Sequence, residues 1–214
     1  MRRAISAGEY SPGAKLNEVA VAEQLGVSRN TLREGFAELA ADGIVDRIPH
    51  RGVFIASPTP TDILALYRAR AVVEPGALLW GDALNVDALD RVVADAEASL
   101  ATHDTGTGLT DGAAATGHSG STGATALANQ VFHRTVVEAA GSDLLNGEMD
   151  RLLARMRLVF LTAQKTRPTL HSEFVPVNRR IVTLLRAGDR AGAAETLRAS
   201  LTATGEDLAA TVSR

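Results

Sequence analysis

The sequence predicts a mainly α-helical protein with one small β-hairpin, folded as two parts. Hydrophobic residues make up 45% of the 214 residues and aromatic residues only 4%, a balance that favours helix packing over a β-sandwich. The best boundary is the segment 57–60, Ser-Pro-Thr-Pro, because two prolines in three residues interrupt helices and central strands alike. We therefore predict an N-terminal domain over residues 1–58 and an all-helical domain over residues 59–214.

The composition excludes several classes of protein. The chain has no cysteine, so it can form neither a disulfide nor a thiolate metal site. No run approaches the roughly 20 apolar residues that cross a bilayer, and the amino end lacks a secretion signal; we expect a cytoplasmic protein without a membrane partner. The net charge is −3, yet residues 1–58 hold equal numbers of basic and acidic residues. Any binding of a polyanion must therefore depend on where these charges lie.

Two short helices are predicted to meet across a tight turn in the N-terminal domain. Residues 16–25 place small apolar side chains on one face, with Asn17 as the N-cap. Gly26 ends this helix, and Ser28 can cap a second helix that begins at Arg29. This order of elements is the helix-turn-helix layout.

The second helix carries a polar face suited to reading a base sequence. Arg29 and Arg33 lie four residues apart, away from the buried stripe, with Asn30 between them. The arginine fork matches guanine edges or phosphate oxygens, and an asparagine amide can pair with adenine. The alternative is that both arginines are simply solvated, as most exposed charged side chains are.

A β-hairpin with a basic tip is predicted next. Two short apolar runs, 44–48 and 53–55, flank a turn that holds His50, Arg51 and Gly52. The glycine permits close backbone approach, and the two basic side chains could enter a minor groove or contact phosphate. Any surface hairpin can carry an arginine, but the whole succession is typical of a DNA-binding winged helix-turn-helix. The candidate DNA-binding residues are Ser28, Arg29, Asn30, Thr31, Arg33, His50, Arg51 and Gly52.

Helical periodicity continues through the second domain. Thr61 and Asp62 are predicted to cap a helix that runs towards Trp80, with Pro75 as a kink or break. Further helices are predicted over residues 86–100, 126–140, 143–165, 170–187 and 189–212. Residues 102–125 are rich in Gly, Thr, Ala and Ser and are predicted to form a flexible surface insertion.

Specific motifs in both domains point to a known family. The N-terminal domain carries SPGAKLNE at 11–18, LGVSRNTLRE at 25–34, and DGIV through PHRGV at 42–53. Through these segments the chain resembles the GntR family of bacterial transcription regulators. The second domain is similar to the all-helical effector domain of the FadR-type subgroup, called FCD, through RAVVE at 70–74, FH at 132–133 and LRAGD at 185–189. Relatives usually carry more residues before the stretch 2–5, so the first helix is expected to be short.

The resemblance implies a homodimer that binds a short near-palindromic operator in double-stranded DNA. It also implies that a small-molecule effector in the helical bundle alters the affinity for DNA, most commonly by relieving repression. Residue by residue, Arg29 and Arg33 match the recognition-helix arginines of the family, and His50, Arg51 and Gly52 match its wing tip.

Many relatives hold a divalent metal on one acidic residue and three histidines, and this ligand set is mostly replaced here. Alignment on the family motifs puts Asn129 at the carboxylate position and Asn178 and Ser200 at two of the histidine positions; only His133 is retained. One imidazole with two amides and a hydroxyl is a poor site for zinc. We therefore expect no divalent metal and no other cofactor.

The same four residues suggest a polar floor for an effector cavity, although each could equally be a satisfied polar group. Arg70 could meet an anionic effector, but Arg70 and Glu74 at i, i+4 spacing are more simply an ion pair. The candidate effector-binding residues are Arg70, Asn129, His133, Asn178 and Ser200.

Three further side chains have an ordinary structural interpretation as well as a functional one. His171 could substitute as a metal ligand, but a lone surface histidine is the simpler expectation. Arg155 and Arg157 could reach a carboxylate ligand, with solvated or interfacial roles as the alternative.

Two other functions have weaker support in the sequence. No P-loop, dinucleotide fingerprint, HExxH motif or nucleophile elbow occurs, and the five histidines are scattered, so we do not expect an enzyme. The alternative is a DNA-organising protein without an effector. Such proteins tend to be basic overall, whereas this chain is acidic and has a large second domain.

Overall fold

The computed structural model describes residues 4–5, 9–104, 120–164, 166–167 and 170–212. In this part of the chain the N-terminal domain contains α1 (Glu18–Leu25), α2 (Arg29–Ala41), β1 (Val45–Ile48) and β2 (Gly52–Ile55). The second domain contains α3 (Pro60–Trp80), α4 (Val86–Asp104), α5 (Gly120–Glu138), α6 (Asp143–Ala163), a 3-10 helix (Leu170–Phe174), α7 (Val175–Arg186) and α8 (Arg190–Val212). The predicted mainly α fold with a small hairpin is confirmed.

Local side-chain chemistry sets the turn between α1 and α2. The Asn17 side chain accepts hydrogen bonds from two backbone N–H groups in the first turn of α1, as expected of an N-cap. Gly26 follows α1 with a φ of 64°, a left-handed conformation that glycine adopts without a Cβ clash. Ser28 Oγ accepts a hydrogen bond from the Thr31 N–H at 3.1 Å. Both predicted caps and the glycine turn are therefore present.

The hairpin closes the N-terminal domain. Its strands pair antiparallel, with Val45 opposite Ile55 and Ile48 opposite Gly52. Val45 and Ile55 are buried together with Phe36 of α2. The hairpin thus packs one face on the two helices and leaves its tip free to project.

Helices α3 and α8 pack closely along much of their length in the second domain. A Cβ placed on Gly205 of α8 would lie 2.6 Å from the Tyr67 Cβ of α3, so the glycine permits an approach that a larger residue would prevent. Tyr67 and Leu201 are buried in the same bundle core. Among the described residues, no helix is both long and apolar enough to cross a membrane.

The predicted N-cap of the first helix of the second domain is wrong, and of the two outcomes predicted for Pro75, a kink or a break, the break is excluded. The N-cap of α3 is Thr59 rather than Thr61 or Asp62: Thr59 Oγ1 accepts the Asp62 N–H at 3.2 Å, and Asp62 Oδ2 accepts the Thr59 N–H at 2.9 Å. This reciprocal pair is a capping box. Pro75 does not break α3, which continues to Trp80, because buried packing around the proline offsets the lost backbone hydrogen bond.

The predicted surface insertion is partly helical. Helix α4 extends to Asp104 and α5 begins at Gly120, and residues 105–119 lie outside the described part of the chain. Thr125 is buried at the start of α5, so packing on the bundle accounts for helix where composition alone predicted a loop. The predicted helix 170–187 is divided into the 3-10 helix and α7, and the expected short first helix falls mostly on residues outside the described ranges.

Helix α6 belongs to both hydrophobic cores. Met156 and Phe160 are buried in the bundle core, whereas Leu158 is fully buried among the apolar residues of the N-terminal domain. Nearby, Arg151 Nε lies 3.2 Å from Asp42 Oδ1. The two domains are therefore joined by apolar packing and by an ion pair, both contributed by one helix.

We expect Gly205→Ala to lower the free energy of unfolding by about 1 to 3 kcal/mol, because the added methyl overpacks the contact with Tyr67. The matched control is Gly147→Ala on α6, where a Cβ would meet nothing within 4 Å and where alanine should stabilise the helix by about 0.5 to 1 kcal/mol. Urea denaturation of both variants checks the difference. Equal effects at the two glycines would contradict the close α3–α8 crossing.

Candidate DNA-binding face and buried polar cluster

Most of the predicted DNA-binding residues are exposed on the N-terminal domain, and three of them line one groove. Ser28, Arg29, Asn30, Thr31 and Arg33 on or before α2 are all exposed, as are His50 and Arg51 at the tip of the hairpin. A groove of about 590 Å³ separates α2 from the hairpin and is lined by Arg33, Arg47, His50 and Gly52 among others. The fold thus brings the arginine-bearing helix and the wing to one surface.

Arg33 is held by an acidic residue that the sequence reasoning missed. Its Nε donates a hydrogen bond to Glu18 Oε2 at 3.1 Å. The Arg33 side chain remains 56% exposed and that of Glu18 24% exposed. Glu18 lies in the first turn of α1, and no sequence pattern links it to Arg33. The contact fixes one edge of the guanidinium and leaves most of the side chain accessible.

The tip of the wing is shaped by its backbone and by an aromatic ring. His50 has a φ of 60° and Gly52 a φ of 109°, so the chain turns sharply and exposes the residue between them. The Arg51 guanidinium carbon lies 5.7 Å from the centre of the Phe54 ring, and the Lys15 amino group lies 5.9 Å from it. Stacking of cations on this ring concentrates positive charge at the wing. Lys15 is a second basic residue that the sequence reasoning did not single out.

A polar cluster lies inside the second domain. Arg70 is 1% exposed and Glu74 is fully buried. Arg70 Nε donates to Glu74 Oε1 at 2.6 Å, and His133 Nδ1 lies 2.6 Å from Glu74 Oε2. Arg70 Nη1 also contacts Met156 Sδ of α6. The i, i+4 ion pair expected from the sequence is present, and His133 joins it from α5.

Burial and charge decide the protonation of this cluster. Burial alone would raise the pKa of Glu74, but Arg70 and His133 outweigh it and hold that pKa below its usual range. Burial lowers the pKa of His133 despite the attraction of Glu74. At neutral pH the carboxylate is therefore ionised and the imidazole neutral, and His133 donates its Nδ1 proton to Glu74.

The other candidate effector residues are only partly brought together. Asn178 Nδ2 donates to Asn129 Oδ1 at 3.0 Å, and both side chains are buried. They line a small cavity together with Val92, Val93 and Ala96. Ser200 is half-buried on α8, and no hydrogen bond in the described part of the chain joins it to these amides.

The residues at the family metal positions do not fit a divalent cation. The Asn129 oxygen accepts a hydrogen bond from the Asn178 amide, so these two side chains are bonded to each other. Among the described residues, no group of three or more histidine, cysteine, aspartate or glutamate side chains is placed to bind a metal ion. A zinc site needs several such donors converging on one point.

His171 is not the surface residue that we expected. It is 2% exposed, and its ring lies 4.5 Å from the ring of Phe160 and 6.5 Å from that of Phe174, centre to centre. Neither ring nitrogen has a hydrogen-bond partner among the described residues. Burial and the nearby charge of Arg157 lower the pKa of His171 to about 4, so the ring is neutral at pH 7. Isolated in the sequence, this histidine gave no sign that the 3-10 helix would bury it.

Arg155 and Arg157 have different environments. A Cβ on Gly43 would lie 3.1 Å from Arg155 Nε, which places Arg155 at the junction between the two domains. Arg157 lies half-buried on the side of His171. Of the roles considered for Arg155, the structure therefore supports the interfacial one, at the junction between the two domains.

The N-terminal domain and the helical domain each match a protein-family model. The family model described as bacterial regulatory proteins, gntR family, matches residues 1–55, and the model of the FCD domain matches residues 65–203. The chain belongs to the GntR family and carries an FCD domain.

Named relatives agree with this assignment. An uncharacterised HTH-type transcriptional regulator in the TAR-I ttuE-ttuC' intergenic region of Agrobacterium vitis is 35% identical over 77 residues, which are 36% of this chain and 45% of the relative. The chain thus spans less than half of the length of that relative. A protein of Paenarthrobacter nicotinovorans, named as a D-xylose utilization operon transcriptional repressor, is 27% identical over 187 residues, 86% of this chain and 75% of the relative.

Solved structures show the same architecture. A GntR transcriptional regulator from Rhodococcus sp. RHA1 has a TM-score of 0.79 and 27% identity, covering 97% of this chain and 92% of that chain. The protein McbR/YncC of E. coli has a TM-score of 0.74 and 17% identity, covering 100% and 94%. Because the identity with McbR/YncC is only 17%, that similarity shows a shared fold and nothing more.

We expect the stability of the protein to fall between pH 6.5 and pH 5, in part because of His171. Its pKa is about 4 in the folded chain against 6.5 ordinarily, so unfolding takes up a proton in this range and stability is lost as the pH falls. His171→Phe should remove roughly 1 to 2 kcal/mol of this loss, while the contribution of His133, which has the same sign, remains.

Urea denaturation of the wild type and of His171→Phe at the two pH values makes the comparison. An identical pH dependence in the two proteins would show that His171 titrates in the folded state as it does in water.

Proposed function

We propose that the chain is a repressor that binds an operator as a homodimer and releases it when a small effector binds in the FCD domain. The observation that carries the proposal is the groove between α2 and the wing, which is lined by Arg33 of α2 and by His50 at the wing tip. The repressor named among the relatives supports the direction of regulation.

In the proposed complex, each α2 enters the major groove. Arg29 and Arg33 bind guanine edges or phosphate oxygens, and Asn30 can pair with adenine. Glu18 holds the Nε edge of Arg33, which orders its terminal amino groups before DNA arrives and lowers the entropy lost on binding. The wing residues Arg51 and His50 contact the minor groove or the adjacent phosphates.

Dimerisation places two such helices in successive major grooves, about 34 Å apart. Large apolar side chains are exposed on α3, including Trp80 at 82% and Val72 at 75%. Exposed apolar surface of this kind favours association. A second copy of the chain is the partner that an inverted-repeat operator requires.

In this proposal the helical domain regulates the binding of DNA. Arg70, Glu74 and His133 form a buried polar cluster, and the contact of Arg70 with Met156 ties this cluster to α6. Helix α6 also fills the core of the N-terminal domain through Leu158. A ligand that shifts α6 would therefore change how the two DNA-binding domains of the dimer are held.

The proposed DNA contacts are tested on a duplex enriched from a random pool by the purified protein. Replacing Arg33 with alanine should weaken binding to that duplex by about 1 to 3 kcal/mol if the arginine pairs with a base. The control is Arg198→Ala, an exposed arginine of α8 paired with Glu195, which should bind as the wild type does. Fluorescence anisotropy at several salt concentrations gives both affinities.

Unchanged affinity of Arg33→Ala would show that α2 is not the reading helix. Enrichment of no particular sequence, with tight binding of every duplex, would favour the alternative of a DNA-organising protein without an effector.

We also propose that the effector binds without a divalent metal. One imidazole and two amides already bonded to each other give a poor donor set. Protein purified without chelator should contain well under one equivalent of zinc or nickel by mass spectrometry, and EDTA should not alter its operator affinity. A stoichiometric metal that is lost on His133→Ala would contradict this proposal.

A further inference from the structure

A cavity of about 130 Å³ lies at the junction between the two domains. An apolar cavity of about 150 Å³ in another protein holds a molecule of the size of benzene, so this one has room for a ligand of about six non-hydrogen atoms. None of the described residues that line it belongs to the buried polar cluster inside the bundle. Both domains and the linker contribute to its lining, which includes Asp46 of β1, Ser57, Asp62 and Leu66 of α3, and Arg155 and Val159 of α6.

The cavity has a polar rim and an apolar wall. Asp46 and Asp62 are exposed and Arg155 is half-buried, so a ligand can reach these groups from solvent. Leu66 is 4% exposed and Val159 1% exposed, and they supply the apolar part of the lining. Sites for small molecules combine apolar walls with a few polar groups that fix the orientation of the ligand.

Opposite charges line this cavity without pairing. In the described part of the chain, the side chains of Asp46 and Arg155 form no ion pair with each other and no hydrogen bond to another residue. The carboxylate of Asp46 is an acceptor only, and the guanidinium of Arg155 is a donor only. A ligand that carries one positive and one negative group would give each of them a charged partner.

The second carboxylate at the rim is already engaged. Asp62 Oδ2 accepts hydrogen bonds from the backbone N–H and the hydroxyl of Thr59. These hydrogen bonds are the main reason that the pKa of Asp62 lies below its ordinary value, and the charge of Arg155 acts in the same direction. A purely anionic ligand would be repelled by two carboxylates, and a purely cationic one by the guanidinium. A ligand that carries both charges is therefore favoured.

We propose that the junction cavity binds a small α-amino acid as a zwitterion. Its carboxylate lies on Arg155, its ammonium group on Asp46, and a small apolar side chain lies against Leu66 and Val159. Because Asp46 belongs to the N-terminal domain and Arg155 to the bundle, such a ligand contacts both domains at once. The proposal goes beyond the proposed function, since this site requires neither DNA nor an effector inside the bundle.

The test measures the binding of L-alanine to the full chain by calorimetry, without DNA. Propionate lacks the ammonium group and L-alaninamide lacks the carboxylate, so each analogue keeps one charge of alanine. We expect L-alanine to bind, and each analogue to bind at least about tenfold more weakly, because each one loses a hydrogen bond between two charged groups.

Two variants locate the charged groups of the site. Asp46→Asn should weaken the binding of L-alanine at least about tenfold and should remove the preference for L-alanine over propionate. Arg155→Gln should weaken binding by a similar factor and remove the preference over L-alaninamide. The matched controls are Asp95→Asn on α4 and Arg180→Gln on α7, exposed residues away from the cavity, which should bind as the wild type does. Asp46 is exposed, so Asp46→Asn decides the question even if Arg155→Gln fails to fold.

Three results would overturn the proposal: no binding of L-alanine, binding of either analogue as tight as that of L-alanine, or unchanged affinity in Asp46→Asn. Because DNA is absent from this measurement, failure of the proposed repressor function has a separate signature. Unchanged operator affinity in Arg33→Ala would contradict the DNA contacts and leave the amino-acid site untouched.

Discussion

The packing of Leu158 in the core of the N-terminal domain is the contact on which the organisation of this protein depends. Met156 and Phe160, two residues to either side, are buried in the bundle. Because helix geometry fixes these three side chains relative to one another, α6 cannot rotate or slide without disturbing one of the two cores. The ion pair of Arg151 with Asp42 and the position of Arg155 beside Gly43 reinforce the same junction.

The buried polar cluster adds a second constraint on α6. A buried ion pair contributes little net stability, but removal of one partner leaves an uncompensated charge. Arg70 must therefore keep Glu74, and its contact with Met156 limits where α6 can lie. The contact between Arg70 and Met156 lies where the bundle meets α6, and α6 packs in turn on the domain that carries Arg29 and Arg33.

Sequence reasoning predicted the features that follow from local chemistry. Asn17 and Ser28 were recognisable as caps and Gly26 as a turn, because each acts on residues next to it in the chain. The family motifs located the arginines of α2 and the wing. The contact of Glu18 with Arg33 could not be predicted, since it depends on how two helices cross. The burial of His171 depends likewise on the packing of a 3-10 helix against α6, and Pro75 fits within α3 because of tertiary packing.

Amide hydrogen exchange in the full chain tests most directly whether α6 couples the two domains. Leu158→Ala removes a side chain that completes the N-terminal core, and Leu144→Ala, 75% exposed on the same helix, is its control. The account predicts that Leu158→Ala accelerates exchange in β1, β2 and α2 as well as in α6, while Leu144→Ala leaves all of them unchanged. Faster exchange confined to the bundle in Leu158→Ala would contradict it, because the N-terminal domain would then be stable without α6.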